Sequence, residues 1–357
     1  MGILYCKKWP NPLPSSLLMP FYGANGHMTW GSQAYVQSNW PNNAAALRDL
    51  GLMTYRNGYG ANYNSSNGAI TSSDGATFNS FMTAYPDITV VPVLLPRWSV
   101  AYDNTSAGTE TTAYTMGYNL GVDAATKLGN KVPYYEVGNE YENGKVSGAG
   151  ASKTDFDNTM FLQARGSVRG MIAGIHSVLP NAKIALAPGS WLHFGLWDMF
   201  ADGTTPAAPN TVDSSKIISW DLSPWHIYTQ NSTGADDFEN LSGQPITNGM
   251  AKLASYGKPM IISEFGVNTY SGSTALYADD AAIIAAMTTK NYLFDKWYSI
   301  RNKYAVPLIG VQLYQLADAA ADGSQNEMGF GITGSDGITK KGWYSAVKSF
   351  VATHPVS

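Results

Sequence analysis

Cys6 is the only cysteine among 357 residues, which excludes an internal disulfide and any cysteine-based zinc site. Charge is scarce too. Only 13% of residues are charged, with 22 basic residues against 26 acidic and a net charge of -4. No basic stripe is available to neutralise phosphates, so nucleic acid is not an expected partner. The chain also lacks an apolar run of about 18 residues, which leaves no candidate membrane span. Its start, Met1-Gly2-Ile3-Leu4-Tyr5-Cys6-Lys7-Lys8-Trp9, has neither the basic region nor the long apolar core of a signal peptide. Uncharged polar residues supply most of the surface, a composition common in exported proteins. The expectation is a secreted or periplasmic protein whose signal is absent from this chain.

What the chain does have is a recurring unit of strand and helix. After a Pro-rich lead-in over residues 1–16, residues 17–22 read as a strand and 23–27 as a polar loop. Trp40, Ala44 and Leu47 fall at helical spacing, with Gly51 as the C-cap. Strands at 53–57, 88–95, 133–140, 183–188, 217–228, 259–265 and 307–316 follow. Their helices are predicted at 74–85, 111–128, 156–179, 191–200, 246–256 and 281–303, and a closing helix carries Trp343, Ala346, Val347 and Phe350 on one stripe. Eight strands, each followed by a helix, predict an α/β fold: a single (β/α)8 barrel over residues 17–357 with elaborated strand-to-helix loops.

In such barrels, chemistry sits at the C-terminal ends of the strands. His27, Arg56, Asn139, Glu140, His226, Tyr228, Glu264 and Tyr314 collect there. Tyr134-Tyr135-Glu136-Val137-Gly138-Asn139-Glu140-Tyr141 is a short apolar run that ends in an acid beside an amide, and Lys258-Pro259-Met260-Ile261-Ile262-Ser263-Glu264-Phe265-Gly266 repeats the form. Period-two alternation places Glu136, Gly138 and Glu140 on one face of the fourth strand, and Met260, Ile262 and Glu264 on one face of the seventh. Two strands each ending in one carboxylate fit glycoside cleavage, in which one acid protonates the leaving oxygen and the other attacks the anomeric carbon or activates water. An ionised Glu264 close by favours a protonated Glu140, and a donor such as Arg56 or Tyr228 favours an ionised Glu264.

These residues resemble the clan A retaining glycoside hydrolases. Asn139-Glu140 after strand four and Glu264 on strand seven are similar to that clan's acid/base and nucleophile positions. Asp221-Leu222-Ser223-Pro224-Trp225-His226-Ile227-Tyr228-Thr229 resembles the sixth strand of glycoside hydrolase family 39. The resemblance implies a double-displacement mechanism with Glu140 as general acid/base and Glu264 as nucleophile. It also implies that Asn139 contacts the sugar 2-hydroxyl and that Tyr228 or His226 orients Glu264. Two departures stand out: Tyr314-Gln315 lies where many clan members have a Trp, and Gly138 stands where a Trp often precedes the Asn. Both point to a more open or differently shaped sugar subsite.

Other positions have two readings. Arg56 either holds the nucleophile, as the clan's second-strand Arg does, or pairs with Glu136. His27 contacts sugar hydroxyls or is a satisfied loop histidine. Trp98 and Trp225 are candidate sugar-stacking rings, and Trp30, Trp191, Tyr141 and Tyr270 lie in or near similar loops, where packing is the competing role. Glu142 reads as a solvated loop acid. Asp322-Gly323-Ser324-Gln325-Asn326-Glu327 lacks the spacing of a calcium loop, and neither metal nor cofactor is expected. The expected substrate is a poly- or oligosaccharide, with long loops at 62–73 and 103–112 shaping a groove for endo-action on an extracellular or capsular polymer. The rivals are an exo-acting xylosidase or arabinosidase, an inverting hydrolase and a non-catalytic carbohydrate-binding barrel.

Overall fold

A computed structural model describes residues 19–30, 34–64, 67–96, 109–142, 146–228, 238–267, 270–271, 274–275, 279–288, 294–318 and 329–356. The lead-in over 1–16, Trp98 and the acidic segment 322–327 lie outside them. Helices and strands alternate as β1 (Tyr22–Gly26), α1 (Trp40–Leu50), β2 (Thr54–Tyr63), β3 (Ile70–Ser73), α2 (Gly75–Ala84), β4 (Thr89–Pro96), α3 (Glu110–Leu128), β5 (Tyr135–Val137) and α4 (Asn158–Val178). They continue as β6 (Ile184–Leu186), β7 (Gly189–Ser190), α5 (Phe194–Asp202), β8 (Ser223–Tyr228), α6 (Gly249–Ala254), β9 (Met260–Gly266), β10 (Tyr270–Ser271) and β11 (Thr274–Ala275). The last elements are α7 (Asp280–Thr288), α8 (Phe294–Ile300), β12 (Leu308–Leu313) and α9 (Tyr344–Thr353).

The main sheet runs β6-β5-β4-β2-β1-β12-β9-β8-β7, with β3 paired to β2. The ladders β2–β1, β1–β12, β12–β9, β4–β5 and β5–β6 are parallel. A parallel bridge between Ala185 and Leu222 links β6 to the residue before β8. With β3 and the two-residue β7 set aside, the eight remaining strands in this order, with helices between them, are a (β/α)8 barrel, the predicted fold class. By internal contacts the chain divides into two compact units, one of residues 1–57, 85–90 and 225–357, the other of residues 58–84 and 91–224.

In the first unit, α1 buries Trp40, Ala44, Leu47 and Leu50, and Gly51 ends it in the left-handed region at φ 72°, its N–H bonded to Arg48 and Leu47 carbonyls. Phe265 of β9 packs edge-on against Phe294 of α8 at 5.0 Å, and Phe294 stacks on Phe350 of α9. The stretch 23–27, read from sequence as a loop, forms most of β1. Its glycines are a packing requirement: a Cβ on Gly26 would lie 2.1 Å from the Tyr55 hydroxyl. The strand predicted at 217–228 is confined to β8, and the helix predicted at 246–256 to α6, where the Asn248 side chain accepts from the Ala251 amide. Of the helix predicted over 281–303, the described residues form α7 and α8.

In the second unit, α3 and α4 cross nearly backbone to backbone, since a Cβ on Gly170 would meet the Tyr114 carbonyl at 2.1 Å and one on Gly121 the Met171 carbonyl at 2.3 Å. Side-chain caps start both helices: Thr109 accepts from Thr112, and Asp157 from Met160. The 62–73 loop proposed to shape a groove is instead the antiparallel β2–β3 pair, with Asn62 opposite Ser72. The fourth strand is short and regular only through Val137, so the alternation expected to carry on to Gly138 and Glu140 stops there.

Candidate active site

Regular strands of the first unit build a polar cluster around Glu264. On β9, Glu264 shares a face with Ile262, while Phe265 on the opposite face packs into the helical layer. The same alternation on β8 turns His226 and Tyr228 one way and Trp225 the other. Arg56 donates to Glu264 Oε1 at 2.5 Å, and the Tyr228 hydroxyl donates to Oε2 at 2.5 Å. His226 Nδ1 lies 3.3 Å from Oε2, and its Nε2 lies 3.4 Å from Arg56 Nη2. A guanidinium only donates, so Nε2 accepts there and the ring proton sits on Nδ1, aimed at Glu264.

Arg56 is itself oriented. It donates to Asn25 Oδ1 at 2.8 Å, and the Asn25 amide group donates to the carbonyls of Ser263 at 2.9 Å and Gln312 at 3.2 Å. Most of the cluster is buried: Arg56 is 4% exposed, His226 0% and Glu264 8%. Of the two partners open to Arg56 in the sequence, Glu264 is one that it meets, through a buried, charge-assisted hydrogen bond. Sequence reading missed Asn25, because its place between glycines mimics a loop.

His27 and Tyr314 form a second group in this unit. The Tyr314 hydroxyl is 3.3 Å from His27 Nε2, the Trp30 indole stacks on the imidazole with centroids 3.5 Å apart, and Tyr314 packs edge-on against Tyr228. Burial pushes His27 down to about 3; the nearby Arg56 charge acts in the same direction and a hydrogen bond with Gln315 opposes both. His27 is therefore neutral over the working pH range. Gln315 also accepts from the Tyr35 hydroxyl at 3.1 Å, and the Tyr314–Gln315 peptide is cis. Trp225 does not join either group. It is fully buried, on the face of β8 turned away from His226 and Tyr228, and is a core residue.

In the second unit, Asn139 and Glu140 follow β5 on a tight turn and are half-buried. Gly138 has φ 101° and Glu140 φ 39°, two left-handed residues in three. The Glu140 amide donates to the Pro188 carbonyl at 3.0 Å. A Cβ on Gly138 would lie 2.2 Å from the Tyr141 ring, which packs against that position. Tyr141 is buried, its hydroxyl 3.3 Å from Ser167 Oγ, and belongs to the packing. Glu142 corrects another expectation. It is fully buried rather than solvated, and its Oε1 faces Ser190 N at 2.8 Å, Ser190 Oγ at 3.3 Å and His193 Nδ1 at 3.1 Å.

Searches of the sequence against protein families and against curated proteins find no match. Solved structures do match. A family 39 glycoside hydrolase from the gut symbiont Bacteroides cellulosilyticus WH2 aligns with TM-score 0.61 and 16% identity, over 95% of this chain and 65% of that one. This chain thus spans less than two thirds of that protein. A β-glucosidase from Thermotoga maritima in complex with noeuromycin aligns with TM-score 0.66 and 13% identity, over 96% and 99% of the two chains. The virulence factor SghA from Agrobacterium tumefaciens gives 0.61 and 13%, over 93% and 97%. At these identities the likeness is one of fold, and the fold is that of glycoside hydrolases of several families, family 39 among them. Among the described residues, no helix is long and apolar enough to cross a membrane.

Proposed function

We propose that this protein is a retaining glycoside hydrolase, with Glu264 as nucleophile and Glu140 as general acid/base. The observation that carries the reading is the donor set on Glu264: a carboxylate on a barrel strand, buried with an Arg, a Tyr and a His all directed at its two oxygens. So many fixed donors on one buried acid prepare it to act as an anion. The fold neighbours, glycosidases by name, support the same class.

The reaction follows in two displacements. Glu264 attacks the anomeric carbon and the glycosidic C–O bond breaks, while the Glu140 carboxyl gives its proton to the departing oxygen. The glycosyl ester on Glu264 is then cleaved by water. Glu140, now a carboxylate, takes the water proton as the water oxygen bonds to the anomeric carbon and Glu264 leaves. Two inversions give net retention. During both steps Arg56, Tyr228 and His226 follow the charge on Glu264 as it is lost and restored. Asn139 is assigned to the sugar 2-hydroxyl, and His27 and Tyr314 to other sugar hydroxyls.

The substrate we propose is a poly- or oligosaccharide cleaved within the chain, extracellular or capsular, by an exported enzyme. Low charge supports this, as do the uncharged polar groups of the β2–β3 pair, Asn62, Thr71 and Ser72, which suit hydroxyl-rich ligands. The test is product release from xylans, arabinans, galactans, mannans and bacterial exopolysaccharides, for wild type beside Glu264→Gln, resolved by chain length and by anomeric configuration. Long fragments with the starting configuration, absent in the variant, are expected. Single sugars would favour an exo-acting xylosidase or arabinosidase, the opposite anomer an inverting enzyme, and no release a carbohydrate-binding barrel.

A further inference from the structure

Glu142 is a fully buried carboxylate that the mechanism does not use. Burying a carboxylate is costly unless donors replace its water, and here the donors gather on one oxygen. Ser190 N, Ser190 Oγ and His193 Nδ1 lie 2.8, 3.3 and 3.1 Å from Oε1. Ser190 ends β7 and His193 precedes α5, so the oxygen binds a segment some fifty residues away in sequence. That segment begins where the Glu140 amide is held, at the Pro188 carbonyl. The turn bearing Asn139 and Glu140 is thus tied to residues 188–193 at two points, one on either side of Tyr141. The strain sits at the first tie: Glu140 has φ 39°, two residues after Gly138 turns the chain at φ 101°. Left-handed backbone at a non-glycine residue persists only where the surroundings over-determine it, and it concentrates at functional sites.

We propose that Glu142 is a positioning residue that sets the aim of Glu140, an inference that rests on the glycosidase reading above. It touches no substrate. Its carboxylate grips the Ser190 amide, holds the turn in its left-handed course and so fixes where the Glu140 proton is delivered.

The test uses phenyl and dinitrophenyl glycosides of glucose, xylose, galactose, mannose, arabinose and glucuronic acid. A phenolate leaving group needs the proton from Glu140, whereas a dinitrophenolate leaves without it. In Glu142→Leu, kcat/KM on the cleaved phenyl glycoside is expected to fall about 100-fold, with only a few-fold loss on its dinitrophenyl counterpart. Glu142→Gln keeps an oxygen for the Ser190 amide and is expected to recover most of the loss. If the Leu variant does not fold, His193→Phe, which removes one of the donors, should show the same leaving-group split at smaller size. Amide exchange at Glu140, faster in the variant, reads the tie independently of activity. Equal losses on both leaving groups, or none, would overturn the positioning role while the glycosidase reading stood. A wild type inert on every glycoside would overturn both, whatever the exchange result.

Discussion

Around Glu264 the grips come from side chains on regular strands: Arg56 on β2, with His226 and Tyr228 on β8. Around Glu140 the described grips belong to a turn, with a main-chain bond to Pro188 and the Glu142 tie to Ser190. The two proposed roles make different demands. A nucleophile must present a charge at a fixed point, and strands with side-chain donors fix both. An acid/base must give up a proton and take one back, so donors that locked it as an anion would stop it; it needs aim more than charge stabilisation. The first site is built by strand register, the second by backbone conformation.

Substitutions can break this contrast at either end. The largest effect is expected at the nucleophile: Glu264→Gln should lower kcat by about a millionfold, measured on the glycoside that wild type cleaves, with binding retained. Glu140→Gln should cost about 100- to 10000-fold on phenyl leaving groups and much less on dinitrophenyl ones, with azide restoring turnover of the latter. A loss independent of the leaving group would remove Glu140 from the acid role. Next comes Arg56→Lys, which keeps the charge but loses the planar guanidinium that holds Asn25 and Glu264 through Nη1 and His226 through Nη2. A fall in kcat of about 10- to 100-fold at little change in KM is expected, and unchanged kinetics would make the pair structural.

The smallest effect sharpens the comparison through pH. Burial holds His27 down at about 3, against about 6.5 in the unfolded chain. Below about pH 6.5 the unfolded chain therefore binds a proton that the folded chain refuses. Stability is fully present above that pH and falls by about 1.4 kcal/mol per unit as pH drops toward 3. Denaturant melts of wild type and His27→Gln should converge as pH is lowered from 7 to 5, because the variant lacks this loss. Parallel curves would mean that His27 titrates alike in both states.

Much of the cluster around Glu264 was legible in the sequence, for a physical reason. Strand alternation is local, so Glu264, His226 and Tyr228 are aimed by their own neighbours. Arg56 needed only a choice of partner. What lay beyond reading depended on contacts distant in the chain. Gly23 to Gly26 resemble a loop until Thr54 and Tyr55 are seen pressed against them. Glu142 looks like a solvated acid, since its donors lie at 190 and 193. The left-handed φ of Glu140 has no sequence signature, since Glu seldom adopts it. Trp225 shows the opposite failure: alternation did place it on the far side of β8 from His226, but an aromatic beside a site residue invited a functional role that its burial denies.

The most direct test of the account is covalent trapping of the nucleophile. A fluorosugar carrying an activated leaving group, matched to the sugar that wild type releases, is incubated with the protein, which is then digested and mapped by mass spectrometry. One sugar per chain is expected, attached to the peptide containing Glu264, with no label in Glu264→Gln. A label on any other carboxylate, or turnover of the natural glycoside with inverted configuration and no trapped ester, would contradict it.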